Sequence, residues 1–179
     1  MKKITIKSIQ KKKNKLPITC LTSYTKPIAE IVGKHCDIIL VGDSLGMVLY
    51  GMKTTRGVTL DMMISHAKSV RLGAKNNFIV VDMPYKTYLT KKNAYTNARK
   101  IIKITKCDAV KLEGGREIET IIKHLVKRGI PVMGHVGLLP QYTKNFKTRG
   151  KGKRERKKIL NDAISITKAG VFAIVIECV

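Results

Sequence analysis

Five apolar runs in this sequence lead into side chains that can do chemistry. "IILVGDS" reaches Asp43 and Ser44, "FIVVDMP" reaches Asp82, and "AVKLEGG" carries Lys111 and Glu113. "PVMGHVG" reaches His135 and "FAIVIECV" reaches Glu177. A carboxylate at the end of a buried strand is costly unless it is paired or ligates a metal. Lys111 and Glu113 are two apart, so on a strand they face the same way, with Val110 and Leu112 facing the other. Asp43, Asp82 and Glu113 are hard oxygen donors. With no Cys and one His beside them, the set suits Mg²⁺ better than Zn²⁺. Such a site would chelate a 2-keto acid through its carboxylate and carbonyl oxygens and acidify the carbon next to the carbonyl. Lys111 and His135 would then neutralise the growing negative charge. Glu177 would remain free to move a proton. The structural alternatives are a buried Lys111–Glu113 ion pair, turn caps at Asp43 and Asp82, and a satisfied buried imidazole at His135.

These endings need strands to carry them. The candidate runs are Pro17–Leu21, Asp37–Val41, Phe78–Val81, Ala109–Leu112, Ile130–Gly134 and Val171–Ile176. They are rich in Val and Ile without clean polar alternation, as parallel strands covered on both faces are. Helices are expected between them. Leu60–Leu72 has Thr59 as cap and Gly73 as stop; Asn93–Thr105, Glu117–Lys127 and Lys157–Lys168 follow, the last ended by Gly170. The basic stretch Phe146–Lys158 reads as a mobile loop leading into a helix. Strand and helix in alternation predict βα units, a parallel sheet and functional groups at the carboxyl ends of its strands. Residues 1–179 form one domain. A closed (β/α) barrel has eight strands in about 250 residues. Six strands therefore predict a barrel cut short at its C-terminus, or else an open α/β sheet. Gly42, Gly46, Gly114 and Gly115 are expected to permit tight turns at the rim, since "VGDSLG" and "EGGRE" match no phosphate-binding loop.

The bulk properties limit the partners. Thirty-six basic and 12 acidic residues give a net charge of +24. The bases are mostly Lys and spread through the chain, which predicts a solvated surface; a basic RNA- or membrane-surface-binding protein is the alternative from another class. Cys20, Cys36, Cys107 and Cys178 form no C-x-x-C pair and lie in or near apolar runs, as reduced core thiols do. The start, "MKKITIKSIQKKKNK", has no long apolar region, and no run approaches the roughly 20 residues that span a bilayer. A cytoplasmic setting is expected. His35, His66 and His124 are read as surface or core histidines.

Six segments, "LVGDSLGMVLYG", "VTLDMMISHAKSVRLGA", "VVDMPY", "VKLEGG", "IPVMGHVGLLPQ" and "DAISITKAGVFAIVIECV", together resemble the ketopantoate (3-methyl-2-oxobutanoate) hydroxymethyltransferase family, in its order and at close to its spacing. The resemblance covers essentially the whole chain. It implies a (β/α)8 TIM barrel of the phosphoenolpyruvate/pyruvate type, with about six of eight strands present. It implies transfer of a hydroxymethyl group from 5,10-methylenetetrahydrofolate to 3-methyl-2-oxobutanoate, giving 2-dehydropantoate for pantothenate. It implies Mg²⁺ on Asp43, Asp82 and Glu113, keto-acid contacts from Asp43, Ser44, Asp82 and Lys111 with His135 nearby, and Glu177 as proton acceptor. It also implies a cytoplasmic homo-oligomer, commonly a decamer. A related Mg²⁺-dependent keto-acid lyase or mutase on the same barrel is the alternative within the fold. The sequence departs from the family pattern at Thr25, where Asp is usual, at Gly57-Val58-Thr59 in place of "PVT", in a shorter and more basic loop after Phe146, and in lacking the "GIGAG" segment.

Overall fold

The structure is a computed structural model and describes residues 3–179. Six strands run β1 Cys20–Thr22, β2 Ile38–Val41, β3 Phe78–Asp82, β4 Ala109–Glu113, β5 Val132–Gly137 and β6 Ala173–Glu177. They form one sheet in the order β1-β2-β3-β4-β5-β6, every neighbouring pair parallel. Helices α1 Ile6–Gln10, α2 Lys26–Val32, α3 Leu45–Tyr50, α4 Leu60–Gly73, α5 Lys91–Thr105, α6 Glu119–Lys127 and α7 Lys153–Ala169 alternate with the strands. This is the α/β, βα-repeat architecture that the apolar runs predict. The sheet curls, bringing the Phe78 ring of β3 to 5.3 Å from Phe172, just before β6. Among the described residues β1 and β6 pair with no further strand on their outer sides, so six consecutive barrel strands are present and the ring is not closed.

Each strand carries two environments, because successive side chains point to opposite faces. Ile39, Val41, Ile79, Val81, Val110, Leu112 and Val132 face the helices and pack with Met63, Ala67 and Val70 of α4, Ala98 and Ile101 of α5 and Ile122 and Leu125 of α6. Ile38, Phe78, Val80, Ala109 and Met133 face inward and form a second cluster with Ile9 of α1, which closes the end where the strands begin. Farther along the same inner faces stand Asp82, Lys111, Glu113, His135 and Glu177. The interior therefore changes from an apolar floor to a polar rim along the strands.

Element boundaries differ from the sequence reading for local reasons. Pro131 has no N–H for the ladder, so β5 starts at Val132 rather than Ile130, and it continues to Gly137. Strand β1 starts at Cys20 rather than Pro17, after Asp37 accepts a hydrogen bond from the Thr19 N–H at 3.0 Å. Thr59 does cap α4, accepting from the Met62 N–H at 3.2 Å. Gly73, expected as the stop, is the last residue of α4, with Ala74 as its cap. A Cβ there would come within 2.3 Å of the Lys26 carbonyl oxygen, so this glycine permits close packing of α4 on α2. The stretch Lys153–Lys158, expected in a mobile loop, is the start of α7. Lys, Arg and Glu are good helix formers, and the Glu155 carboxylate accepts from the Gly150 N–H at 2.8 Å to fix that start. Gly170 ends α7 in the left-handed conformation at φ 102°, as expected. Helices α1, α2 and α3 are five to seven residues long, too short for a period to show in the sequence.

The four cysteines are free, but only Cys36 and Cys107 are buried; Cys20 and Cys178 are exposed, Cys20 on the open edge strand β1. Met1 and Lys2 of the basic start lie outside the described residues. No helix among the described residues is long and apolar enough to cross a membrane.

Candidate active site

Strand β2 ends at Gly42-Asp43-Ser44, and α3 begins at once. Gly42 has no side chain because a Cβ there would press on the Ser44 hydroxyl at 3.0 Å and approach the Asp82 carboxylate at 3.6 Å. That carboxylate accepts a hydrogen bond from the Asp43 N–H through Oδ2 at 3.1 Å. Ser44 Oγ lies 2.8 Å from the Tyr24 hydroxyl. Asp43, Ser44, Asp82, Lys111, Glu113, His135 and Glu177 all line one cavity of about 320 Å³. All seven residues singled out in the sequence are thus brought together. Leu40, Met47 and Phe146 supply apolar wall.

Lys111 is the one cation among these carboxylates. Its Nζ lies 3.1 Å from Asp82 Oδ1 and 3.2 Å from His135 Nδ1. Burial works against its charge, but Asp82, Asp43 and Glu113 outweigh burial and hold Lys111 above the ordinary lysine value. His135 Nε2 lies 2.9 Å from the Leu138 carbonyl, which can only accept. The imidazole therefore carries its proton on Nε2 and offers the Nδ1 lone pair to Lys111. Burial, then the Lys111 charge, push His135 down to about 3, so it is neutral. The neutral ring accepts from the Lys111 ammonium and adds no positive charge of its own.

The carboxylates are perturbed in the opposite sense. Burial first, then Asp82, pushes Asp43 up to about 7. Burial pushes Glu113 up to about 8, and burial also raises Asp82 and Glu177. These shifts come first from burial of the charged forms; the cavity also holds four acids against a single ammonium, an excess of negative charge when they ionise. A divalent cation would balance it, and the donor set is all oxygen apart from a neutral imidazole, which fits Mg²⁺.

The arrangement around such an ion differs from the simplest expectation. Among the described residues, no three His, Cys, Asp or Glu side chains are grouped closely enough to hold one metal directly. Gln141 stands between two of the three acids. Its side-chain amide donates to Asp43 Oδ2 at 2.8 Å and its backbone N–H donates to Glu113 Oε1 at 2.8 Å. Mg²⁺ commonly keeps several waters and takes only one or two carboxylates. The three acids therefore fit the ion when part of its coordination is water.

Glu177 is 37% exposed at its side chain, the most open of the acids, with Oε2 3.3 Å from His135 Nε2. Of the rim glycines, only Gly114 has a positive φ, at 141°. Gly46 and Gly115 are instead close-approach positions, where a Cβ would meet Val58 at 2.5 Å and Asp162 at 2.2 Å. Among the other histidines, His66 is tied to the Tyr24 carbonyl at 2.7 Å and the Tyr50 hydroxyl at 2.9 Å. Sequence reasoning assigned no chemistry to Tyr24, Thr55, Tyr88 or Gln141. Thr55 lines the cavity with a buried hydroxyl that has no hydrogen-bond partner. Gln141 closes the "GLLPQ" stretch, part of a segment that carries the family resemblance, but nothing local gives the residue a chemical role.

Parallel βα units with acids gathered at the strand ends define the class: a (β/α)-barrel protein with its polar site at the carboxyl ends of the strands. Two solved structures share this fold. Phosphonopyruvate hydrolase in complex with oxalate and Mg²⁺ matches with a TM-score of 0.74 at 12% identity, over 99% of this chain and 63% of that one. A 2,3-dimethylmalate lyase matches with a TM-score of 0.69 at 13% identity, over 96% of this chain and 62% of that one. Within that class the sequence is more specific: residues 3–179 match the sequence model of ketopantoate hydroxymethyltransferase, and the chain belongs to that family. It is 59% identical to the 3-methyl-2-oxobutanoate hydroxymethyltransferase of Pelagibacter ubique over 94% of this chain, and 51% identical to that of Agrobacterium fabrum over 98%. The chain spans about two thirds of the length of these relatives, 66% and 64%.

Proposed function

We propose that this chain carries the keto-acid site of a 3-methyl-2-oxobutanoate hydroxymethyltransferase, which moves a one-carbon unit from 5,10-methylenetetrahydrofolate to 3-methyl-2-oxobutanoate and yields 2-dehydropantoate. The observation that carries the reading is the convergence, in a member of this family, of Asp43, Asp82, Lys111, Glu113 and Glu177 on one small cavity. Asp43, Asp82 and Glu113 would hold Mg²⁺, which when bound supplies Lewis acidity to the keto acid's oxygens.

The chain's own residues account for the rest. Lys111, kept charged by its acidic neighbours and oriented by His135, faces the negative charge that develops as the C3–H bond breaks. Glu177, partly open and lined up on the same cavity, takes the C3 proton. Ser44, fixed by Tyr24, contacts the keto acid's polar end, and Leu40 and Met47 face its branched alkyl end. The buried free thiols Cys36 and Cys107 fit a reducing cytoplasm. Exposed Ile28 and Ile31 on α2 and Val48 and Leu49 on α3 fit assembly into a homo-oligomer.

Hydrogen exchange at the substrate tests the mechanism. The chain with Mg²⁺ in D₂O is expected to replace the C3 proton of 3-methyl-2-oxobutanoate with deuterium, seen as loss of its proton NMR signal. No exchange, or exchange that survives Asp43→Ala, refutes it.

A further inference from the structure

Gln141 has more polar connections inside the site than any residue assigned to the reaction. The residue is 2% exposed. One amide N–H points to Asp43 Oδ2 at 2.8 Å and the other to the Met83 carbonyl at 3.0 Å. The amide oxygen receives the Tyr88 hydroxyl at 2.5 Å. The backbone N–H goes to Glu113 Oε1 at 2.8 Å, and the backbone carbonyl receives Arg56 Nε at 2.8 Å. Asp43 as a carboxylate and the Met83 carbonyl can only accept, so the orientation of the amide is determined by its partners. Only an amide offers two donors and one acceptor from a single planar group.

These bonds join loops that are remote in sequence. Asp43 follows β2, Met83 follows β3, Glu113 ends β4, and Gln141 lies in the loop after β5. Arg56 belongs to the 3₁₀ turn Thr55–Gly57 and lies over the Tyr85 ring at 5.2 Å. Tyr88 also reaches the Glu113 carbonyl at 3.0 Å, so it bears on the same junction. Gln141 engages one oxygen of Asp43 and one of Glu113, which leaves the other oxygen of each for a ligand.

We infer that Gln141 is a positioning residue, which sets the orientation of Asp43 and Glu113 for the cation, with Tyr88 holding its amide in turn. This rests on the proposed reading of those acids as the metal-holding set. Residues that orient metal ligands through hydrogen bonds commonly change metal affinity about 10- to 100-fold when replaced.

Mn²⁺ binding followed by electron paramagnetic resonance tests it without any turnover. The parent chain is expected to bind Mn²⁺, and Gln141→Met to bind it about 10- to 100-fold more weakly, with an altered spectrum of the bound ion. Tyr88→Phe, which deletes one oxygen, should weaken binding in the same direction by less. Gln141→Glu should be worse than Gln141→Met, because it sets a carboxylate against Asp43 and the Met83 carbonyl. Unchanged Mn²⁺ affinity in folded Gln141→Met overturns the inference alone. So does a Gln141→Met chain that fails to fold while Tyr88→Phe binds Mn²⁺ like the parent, since Gln141 is then a structural residue. Unfolding of both variants overturns it on the same ground. If the parent binds no Mn²⁺, or Asp43→Ala binds it equally well, the metal reading fails and takes this inference with it.

Discussion

Replacing Lys111 with Met removes the ammonium while keeping a stem of similar length. Lys111 is buried, with Nζ 3.1 Å from Asp82 Oδ1. At that distance and an effective dielectric of about 20, the pair attraction is about 5 kcal/mol. Part of it is offset by the cost of desolvating the ammonium, which the variant no longer bears. What remains is set by the stranded acids: removing one partner of a buried pair typically costs about 3–5 kcal/mol. In the parent Asp43 and Glu113 reach about 7 and about 8, so at pH 5 both are neutral, while at pH 8 Asp43 is mostly ionised and Glu113 about half ionised. The variant should therefore lose about 3–5 kcal/mol of unfolding free energy at pH 8 and distinctly less at pH 5. Urea denaturation of parent and variant in EDTA at both pH values measures this. Equal losses at the two pH values would show that Lys111 stabilises by packing and not by balancing the acids.

The metal-free protein should itself depend on pH. Asp43 and Glu113 have folded-state values raised above their unfolded ones, so their contribution is fully present below the ordinary carboxylate range and is lost as pH rises through about 7 and about 8. In EDTA the Tm should fall from pH 5 to pH 8, and Mg²⁺ should restore it at pH 8; a Tm that rises or stays level contradicts the assigned burial of the acids. Gly73→Ala tests the helix packing. Ala normally stabilises a helix interior by about 1 kcal/mol over Gly. Here its Cβ would lie 2.3 Å from the Lys26 carbonyl oxygen, so calorimetry should show a lower Tm, and a higher one refutes the close α2–α4 contact.

The strand-end acids were legible because a strand's period of two is strict. Once "AVKLEGG" is a strand, Lys111 and Glu113 must share a face, and that face cannot be the one Val110 and Leu112 pack against helices. The alternation of apolar runs with lysine-rich helices likewise announced parallel βα units, which place strand ends on one side. Gln141 was not legible. It meets Asp43 98 positions away, and no local pattern marks an amide that will close such a junction. The same holds for His135, whose tautomer depends on the Leu138 carbonyl and the Lys111 ammonium together. Gly73 looked like a helix stop and Gly115 like a turn residue because composition cannot distinguish a glycine needed for its φ from one needed for its missing Cβ.

Side-chain type and spacing in this sequence thus determined which groups face inward and at which end of the sheet they lie, since both follow from backbone geometry within each strand. The curl of the sheet decided the rest. It sets how near the acids come, which oxygens Gln141 occupies and where the imidazole proton sits, because these depend on distances between segments that only meet when the chain is packed.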